Sequence, residues 1–375
     1  MIAFKSGLPN PASLRNERGL SIYCIPRGLV SGPLARYLVK GGHALPFLGV
    51  SQAFAAVEVI THQEGLLTRY GASVAAFEPW RQVLHGEVKS RLSTFLDFFS
   101  SERLAYSDLD LNVPKIMGVV NVTPDSFSDG GDHDTVERAI AHGVNLAEEG
   151  ADILDVGGES TRPGATQVLP ETEQQRVLPV VRALSSRGFT VSIDTRHAST
   201  MAAAIEAGAK IVNDVTALTG DSAALGLVRR KKCCVVLMHM QGAPKTMQEK
   251  PTYTWAPMDV FDYLEARVQT CIDAGIDRGK ICIDPGIGFG KTDDHNLDLL
   301  KYLSILHGVG CPIMLGASRK SFIGRVTRID NPKARLPGSL AVALAGMRQG
   351  AQIIRVHDVA ETHQAILMLN AVQGR

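Results

Sequence analysis

From Lys115 to the C-terminus one unit recurs: a short β-branched apolar run, a polar or glycine-containing loop, then a stretch with apolar residues at helical spacing. The runs are KIMGVVNV (115–122), ADILDVGG (151–158), FTVSIDT (189–195), IVNDVT (211–216), CCVVLMH (233–239), ICIDPG (281–286), CPIMLGAS (311–318) and QIIRVHD (352–358). The period is roughly thirty residues, the length of a strand with its crossover helix. Between runs, segments such as TVERAIAHGVNLAEEG set Val136, Ile140, Val144 and Ala147 on one helix face. Continuously apolar strands alternating with helices predict parallel strands buried on both faces. Eight units in about 260 residues predict a closed (β/α)8 TIM barrel over residues 113–375. Periodicity alone leaves an open doubly wound sheet as the alternative.

Polar residues gather at one end of each unit. Asn121, Asp155, Glu159, Asp194, Asn213, Asp214, His239, Asp284, Ser318, Arg355, His357 and Asp358 all stand at or just after the C-terminal end of a run. In a barrel, that end carries the loop-built mouth where barrel enzymes hold their sites. Any one of these residues could instead cap the next helix, which suits Asp and Asn. The same bias at every strand end points to a mouth.

Two loops are longer and more polar than a connection requires. NVTPDSFSDGG (121–131) and GGESTRPGAT (157–166) suit lids that exclude water, with Pro124 and Pro163 stiffening them and Thr161 and Arg162 suited to an anion. DPGIGFGKT (284–292) looks like a P-loop but lacks the glycine five positions before Gly290, where Pro285 stands. It is read as a strand-end carboxylate on a loop whose glycines admit something flat or bulky against the backbone. Arg319, Lys320, Arg355 and His357 place up to four cationic donors at one end of the barrel, suited to phosphate or pyrophosphate. Asp194, Asn213 and Asp284 would face them as acceptors for a ligand with several coplanar N–H groups. Together they suggest a phosphorylated or pyrophosphorylated heterocycle. His239 and the sulfur atoms of Met238 and Met240 could line a pocket for it, although a lone histidine at a strand end is more often a satisfied structural group. No HExxH or paired Cys/His spacing supports zinc, whereas one carboxamide near a pyrophosphate suits magnesium.

The remaining sequence limits the class of protein. Basic and acidic residues balance at 39 and 38, which gives no nucleic-acid or membrane surface. Six cysteines without a CxxC pair fit a reducing cytoplasm. The start of the chain has no signal-like apolar core, and the run ALPFLGVSQAFAAVEVI is broken by Gln52 and Glu58, so neither export nor a membrane span is expected. Residues 1–112 lie outside the repeat. Strand-like LSIYCI, AFAAVEVITH and ASVAAFE, with the amphipathic helix HGEVKSRLSTFLDFF, predict a small α+β domain of unknown role, ending in the polar linker SSERLAYSDLD.

In order along the chain, IMGVVNVTPDSFSDGG, DVGGESTRPGA, SIDT, NDV, LMHMQG, DPGIGFGKT, SRKSFIG and RVHDV resemble the dihydropteroate synthases, over residues 115–372. The resemblance implies a TIM barrel that joins 6-hydroxymethyl-7,8-dihydropterin pyrophosphate to p-aminobenzoate, releasing pyrophosphate, with magnesium. It implies a homodimer and the target class of sulfonamides. By motif, Asn121 would hold the magnesium; Asp194, Asn213, Met238, Asp284 and Lys320 the pterin; and Thr161, Arg355 and His357 the pyrophosphate. Arg162, Pro163, Phe289, Ser318 and Ser321 would surround p-aminobenzoate, and Phe127, Asp129 and Lys320 would stand at the reacting centre. Ile287 replaces a phenylalanine that many members carry, implying a less aromatic p-aminobenzoate wall, and residues 1–112 have no counterpart in compact members. The rival readings are a corrinoid-linked pterin methyltransferase, a Schiff-base aldolase using Lys320, and a non-catalytic pterin-binding barrel.

Overall fold

A computed structural model describes residues 2–14, 19–49, 52–103, 105–123, 132–159, 168–242 and 247–372. The first hundred residues build a five-stranded sheet from β1 (Ile2–Ser6), β2 (Ser21–Ser31), β3 (Leu45–Phe47), β4 (Gln52–Gln63) and β5 (Leu66–Ser73). Its order is β1-β5-β4-β2, with β3 also paired to β4. The helices α1 (Gly32–Lys40), α2 (Val74–Gln82) and α3 (Gly86–Ser100) complete this layer.

ASVAAFE, expected as a strand, instead ends β5 and enters α2. The Ser73 hydroxyl accepts the Ala76 N–H at 3.3 Å, and a capping serine followed by alanines favours a helix. HGEVKSRLSTFLDFF forms α3 as expected. Most of the described residues of the polar linker SSERLAYSDLD are exposed or half-buried, but Tyr106 from it is fully buried and packs with Leu111 among Met117, Ile153 and Cys282.

The repeat forms eight parallel strands: β6 (Lys115–Asn121), β7 (Ile153–Gly157), β8 (Val191–Asp194), β9 (Ile211–Asp214), β10 (Cys234–Met238), β11 (Ile281–Asp284), β12 (Met314–Leu315) and β13 (Ile353–Val356). Their order is β11-β10-β9-β8-β7-β6-β13-β12. Ile313 bridges to Ile283 in parallel, and the Ile283 N–H donates to the Pro312 carbonyl at 2.9 Å, so the last strand meets β11 and the sheet closes. The barrel is therefore correct and the open sheet is not. Each of the eight apolar runs contains one strand.

Helices α4 (Asp132–Glu148), α5 (Pro170–Ser185), α6 (Ala198–Glu206), α7 (Ala224–Lys231), α8 (Ala256–Asp273), α9 (Asp293–Lys301), α10 (Ser321–Thr327), α11 (Leu336–Arg348) and α12 (Val359–Val372) alternate with the strands, two of them between β12 and β13. β7, β9, β10 and β11 are buried along their whole length, as parallel strands covered on both faces must be. Each fully buried Val or Ile there contributes roughly 1.5–3 kcal/mol.

The core of the N-terminal layer runs on into that of the barrel. Phe99 of α3 meets Phe54 of β4 at 6.0 Å, and Phe95 meets Phe261 of α8 at 5.4 Å. Arg91 grips Glu265 with two bonds of 2.5 and 2.7 Å, and the Tyr23 hydroxyl donates to Asp262 at 2.8 Å. Among the described residues no helix is long and apolar enough to cross a membrane.

Candidate active site

Parallel strands bring their C-terminal ends to one rim, and the expected residues stand on it. Asn121, Asp194, Met238 and Asp284 end β6, β8, β10 and β11. Asn213 and Arg355 stand one residue before the ends of β9 and β13, His357 immediately follows β13, and Ser318 lies in the turn after β12.

At the centre one guanidinium holds two carboxylates. Arg355 donates from Nε to Asp155 Oδ2 at 2.6 Å and from Nη2 to Asp194 Oδ2 at 2.7 Å. Asn213 Nδ2 donates to the same Asp155 oxygen at 3.0 Å. An amide that gives its NH2 to a carboxylate keeps its carbonyl oxygen for another donor. Asp284 Oδ1 accepts the Gly286 N–H at 2.7 Å, which leaves its other oxygen out of that bond. The result is a floor of acceptor atoms whose positions are fixed from behind.

The charges are tuned by burial. Burial raises the Asp194 carboxyl, the Arg355 guanidinium opposes that, and the Asp155 carboxylate adds to it. Burial likewise raises Asp284, against the Gly286 N–H and Lys320. The Lys320 ammonium is pushed down to about 8, chiefly by burial, with Asp284 pulling the other way. It lies 4.0 Å from the centre of the Phe289 ring, joining the expected pterin and p-aminobenzoate residues. Ser318 Oγ pairs with His357 Nδ1 at 3.1 Å, and Ser321 is exposed at the start of α10.

Three readings change. The glycines of the 284–292 loop admit the chain itself: a Cβ on Gly286 would lie 1.9 Å from the His239 carbonyl oxygen, and one on Gly290 would lie 2.4 Å from that of Gln241. Both glycines have positive φ, so this packing suits no other residue. Arg319 is committed to structure. Its φ is +58°, its N–H donates to Ser339 Oγ at 2.9 Å, and both Asp358 carboxylate oxygens take its guanidinium. Arg319 therefore leaves the expected set of four cationic donors. Ile287 is fully buried in the core, so its side chain shows no exposed face to a ligand.

His239 is structural, as expected, and its partner is Lys291 of the failed P-loop. Lys291 is 2 % exposed, and its Nζ meets His239 Nδ1, the Gly286 carbonyl and the Phe289 carbonyl, each at 2.9 Å. With the His239 carbonyl at 3.3 Å there are four acceptors for the three N–H groups of an ammonium, although burial pushes the Lys291 pKa well down. Burial and that cation push the imidazole down to about 2, so His239 is neutral and accepts.

Phe127, Asp129, Thr161, Arg162 and Pro163 lie outside the described residues. The roots of the second long loop are held, however: Glu159 Oε1 accepts the Val168 N–H at 3.1 Å, and Arg196 grips Glu159 at 3.2 Å. Asp155 and Lys291 were not among the expected site residues. The first stood in the strand-end pattern; the second stood in a motif whose chemistry failed but whose position mattered.

Residues 117–357 match the family described as pterin binding enzyme. The chain is 47% identical over 262 residues to the dihydropteroate synthase of Neisseria meningitidis serogroup C, covering 69% of this chain and 93% of that protein. It is 46% identical over 266 residues to that of Escherichia coli strain K12, covering 71% and 94%. Among solved structures, the Xanthomonas albilineans dihydropteroate synthase with 4-aminobenzoic acid matches with a TM-score of 0.68 at 47% identity, over 71% of this chain and 96% of that one. The chain belongs to the dihydropteroate synthases, transferases of folate biosynthesis within the pterin-binding enzyme family.

Proposed function

We propose that this site joins 6-hydroxymethyl-7,8-dihydropterin pyrophosphate to p-aminobenzoate by a dissociative substitution assisted by magnesium. The observation that carries the residue roles is the acceptor floor: Asp194, Asn213 and Asp284 sit around Arg355 and Lys320, a match for a flat heterocycle with several N–H groups and an anionic tail. Met238, buried at the end of β10, closes the pterin pocket. Arg355 and His357, with Thr161, receive the pyrophosphate. Phe289, Ser318, Ser321, Arg162 and Pro163 surround p-aminobenzoate.

In the reaction the C–O bond to pyrophosphate breaks with both electrons leaving on oxygen, and the pterin ring delocalises the cation left behind. The aryl amine then forms the C–N bond and its surplus proton departs to solvent. Because an arylamine is already neutral at pH 7, charge stabilisation and positioning supply most of the rate. Asp129 offers the cation a negative charge and Phe127 offers the amine an aromatic face, while both long loops exclude water.

No cluster of three His, Cys, Asp or Glu able to hold a metal exists among the described residues. Asn121 alone, a neutral carboxamide at the rim, fits an ion that takes its other ligands from water and substrate phosphates. When bound, such an ion neutralises charge on the departing pyrophosphate.

The division into an accessory α+β domain at 1–112 and a catalytic barrel at 113–375 fits the family match, which begins at 117. Dimerisation through α12 is supported by its exposed Leu367, Met368 and Val372, and a cytoplasmic setting by six unpaired thiols. Sulfonamide binding is supported by the Yersinia pestis dihydropteroate synthase solved as a sulfonamide drug complex, 43% identical over 71% of this chain and 97% of that one, TM-score 0.68.

The test is product formation and pyrophosphate release with and without p-aminobenzoate and magnesium. Dihydropteroate is expected only with all components, and its absence throughout would sink the reading.

A further inference from the structure

The N-terminal layer places a buried charge against Trp255, where α8 starts, and Tyr302, where α9 ends. Glu58 of β4 and Arg69 of β5 are 5 % and 7 % exposed and form an ion pair, and Glu58 also takes Arg27 at 3.0 Å. Charges withdrawn this far from water are retained only where their surroundings compensate them. The compensation comes from the barrel. The Arg69 guanidinium lies 4.8 Å from the centre of the Trp255 ring and 4.5 Å from that of Tyr302, and those two rings meet edge to face at 5.0 Å. Cation–π contacts in a dry site such as this are worth more than exposed ones.

Trp255, 4 % exposed, is the residue from which α8 starts. Two residues earlier, the Tyr253 hydroxyl donates to the Gly290 carbonyl at 2.7 Å, and its ring packs on His239 at 5.9 Å and His295 at 4.7 Å. The same segment reaches the loop again through Gln248 Nε2, which donates to the Gly288 carbonyl at 2.7 Å. Contacts thus join Glu58, Arg69 and Trp255, and Tyr253 with Gly290, and the backbone through Thr254 links the two sets.

We propose that the N-terminal layer is a positioning element for the pterin loop, with Arg69 and Trp255 fixing where Tyr253 holds the Gly290 carbonyl. Gly290 adjoins Lys291 and Phe289, so a shift there moves the loop whose first residue is Asp284. This rests on the reading that the 284–292 loop receives the pterin.

The test uses the full chain, with 6-hydroxymethyl-7,8-dihydropterin pyrophosphate as the probe. Tyr253→Phe removes one hydrogen bond and keeps the ring; it is expected to raise the Kd for the pterin about fivefold. Arg69→Met is expected to do the same, and Arg69→Lys to recover part of the loss. KM for the pterin substrate should rise while kcat at saturation stays within about twofold, and the double variant should bind no worse than the weaker single, as coupled sites do. Additive losses, or a pterin Kd unchanged in both single variants, overturn the proposal whatever happens to thermal stability. Should Arg69→Met not fold, Tyr253→Phe and Arg69→Lys give the same decision. A wild-type chain that fails to bind the pterin overturns the loop assignment beneath the proposal, which is a distinct result.

Discussion

Arg355 reaches Asp194 at 2.7 Å while its Nε holds Asp155 at 2.6 Å, so two carboxylates withdrawn from water depend on one guanidinium. Replacing it by Arg355→Met strands both. Breaking a buried pair from one side costs about 3–5 kcal/mol. Asp194 already has a raised pKa, from burial, and loses the group that opposes the rise. A carboxyl whose folded pKa lies above its unfolded value weakens the fold as pH rises through the window between them. The variant should therefore be much less stable than wild type at pH 8 and close to it near pH 4, by urea midpoint. A gap that does not change with pH contradicts the shared-counterion assignment.

Lys320 gives a pH dependence of the opposite kind. Its folded pKa is about 8 against 10.5 for the free side chain, chiefly through burial. Between those values the unfolded chain binds more protons, so stability without substrate rises with pH across that window. An anionic substrate reverses the preference by favouring the ammonium. Binding of the pterin pyrophosphate should therefore take up a proton above pH 8 and weaken as pH rises further. Calorimetry in buffers of different ionisation enthalpy measures the uptake; no uptake at pH 8.5 would remove Lys320 from the site.

Lys291 holds the 284–292 loop to β10 through His239 Nδ1 and two carbonyls. Lys291→Met removes the Nζ donor from His239 Nδ1 and the Phe289 carbonyl, and from the Gly286 carbonyl, which keeps the Phe289 N–H. At roughly 1 kcal/mol or more for each of the first two, the urea midpoint should fall by an amount equal to about 2 kcal/mol with an unchanged slope. A midpoint within error of wild type would show that the loop is held by other contacts.

The barrel was legible because its signal is repetitive: each run such as ICID is apolar up to a polar strand end, and eight of them with intervening helices suit a barrel, although closure shows only in the bridge between Ile313 and Ile283. The acceptor floor was legible because polar residues stood at every strand end at once, although a single one such as Asp214 serves its own turn. What the sequence hid is pairwise. Nothing in RVHD tells that Arg355 reaches past β6 to Asp155 on β7, 200 residues away, or in SRKS that of its two cations Arg319 is taken by Asp358. ASVAAFE misled because Val and Phe favour strands, whereas a single serine cap decided for helix. Tyr106 misled because polar neighbours masked one residue that is fully buried among residues of the barrel strands.

Ile287 separates the two kinds of evidence. By motif it stands where an aromatic residue would line the p-aminobenzoate pocket; in the fold it is fully buried in the core. Ile287→Phe must then fit a larger ring into packed volume and adds nothing to the pocket. Overpacking of this kind costs about 1–3 kcal/mol, so the midpoint for unfolding should drop by that much. The KM for p-aminobenzoate and the inhibition constant of a sulfonamide should stay within about twofold of wild type, since neither ligand would touch the new ring. A clear gain in sulfonamide affinity without loss of stability would place residue 287 in the pocket wall after all, and would require the 284–292 loop to sit differently from the arrangement that Lys291 and Tyr253 hold.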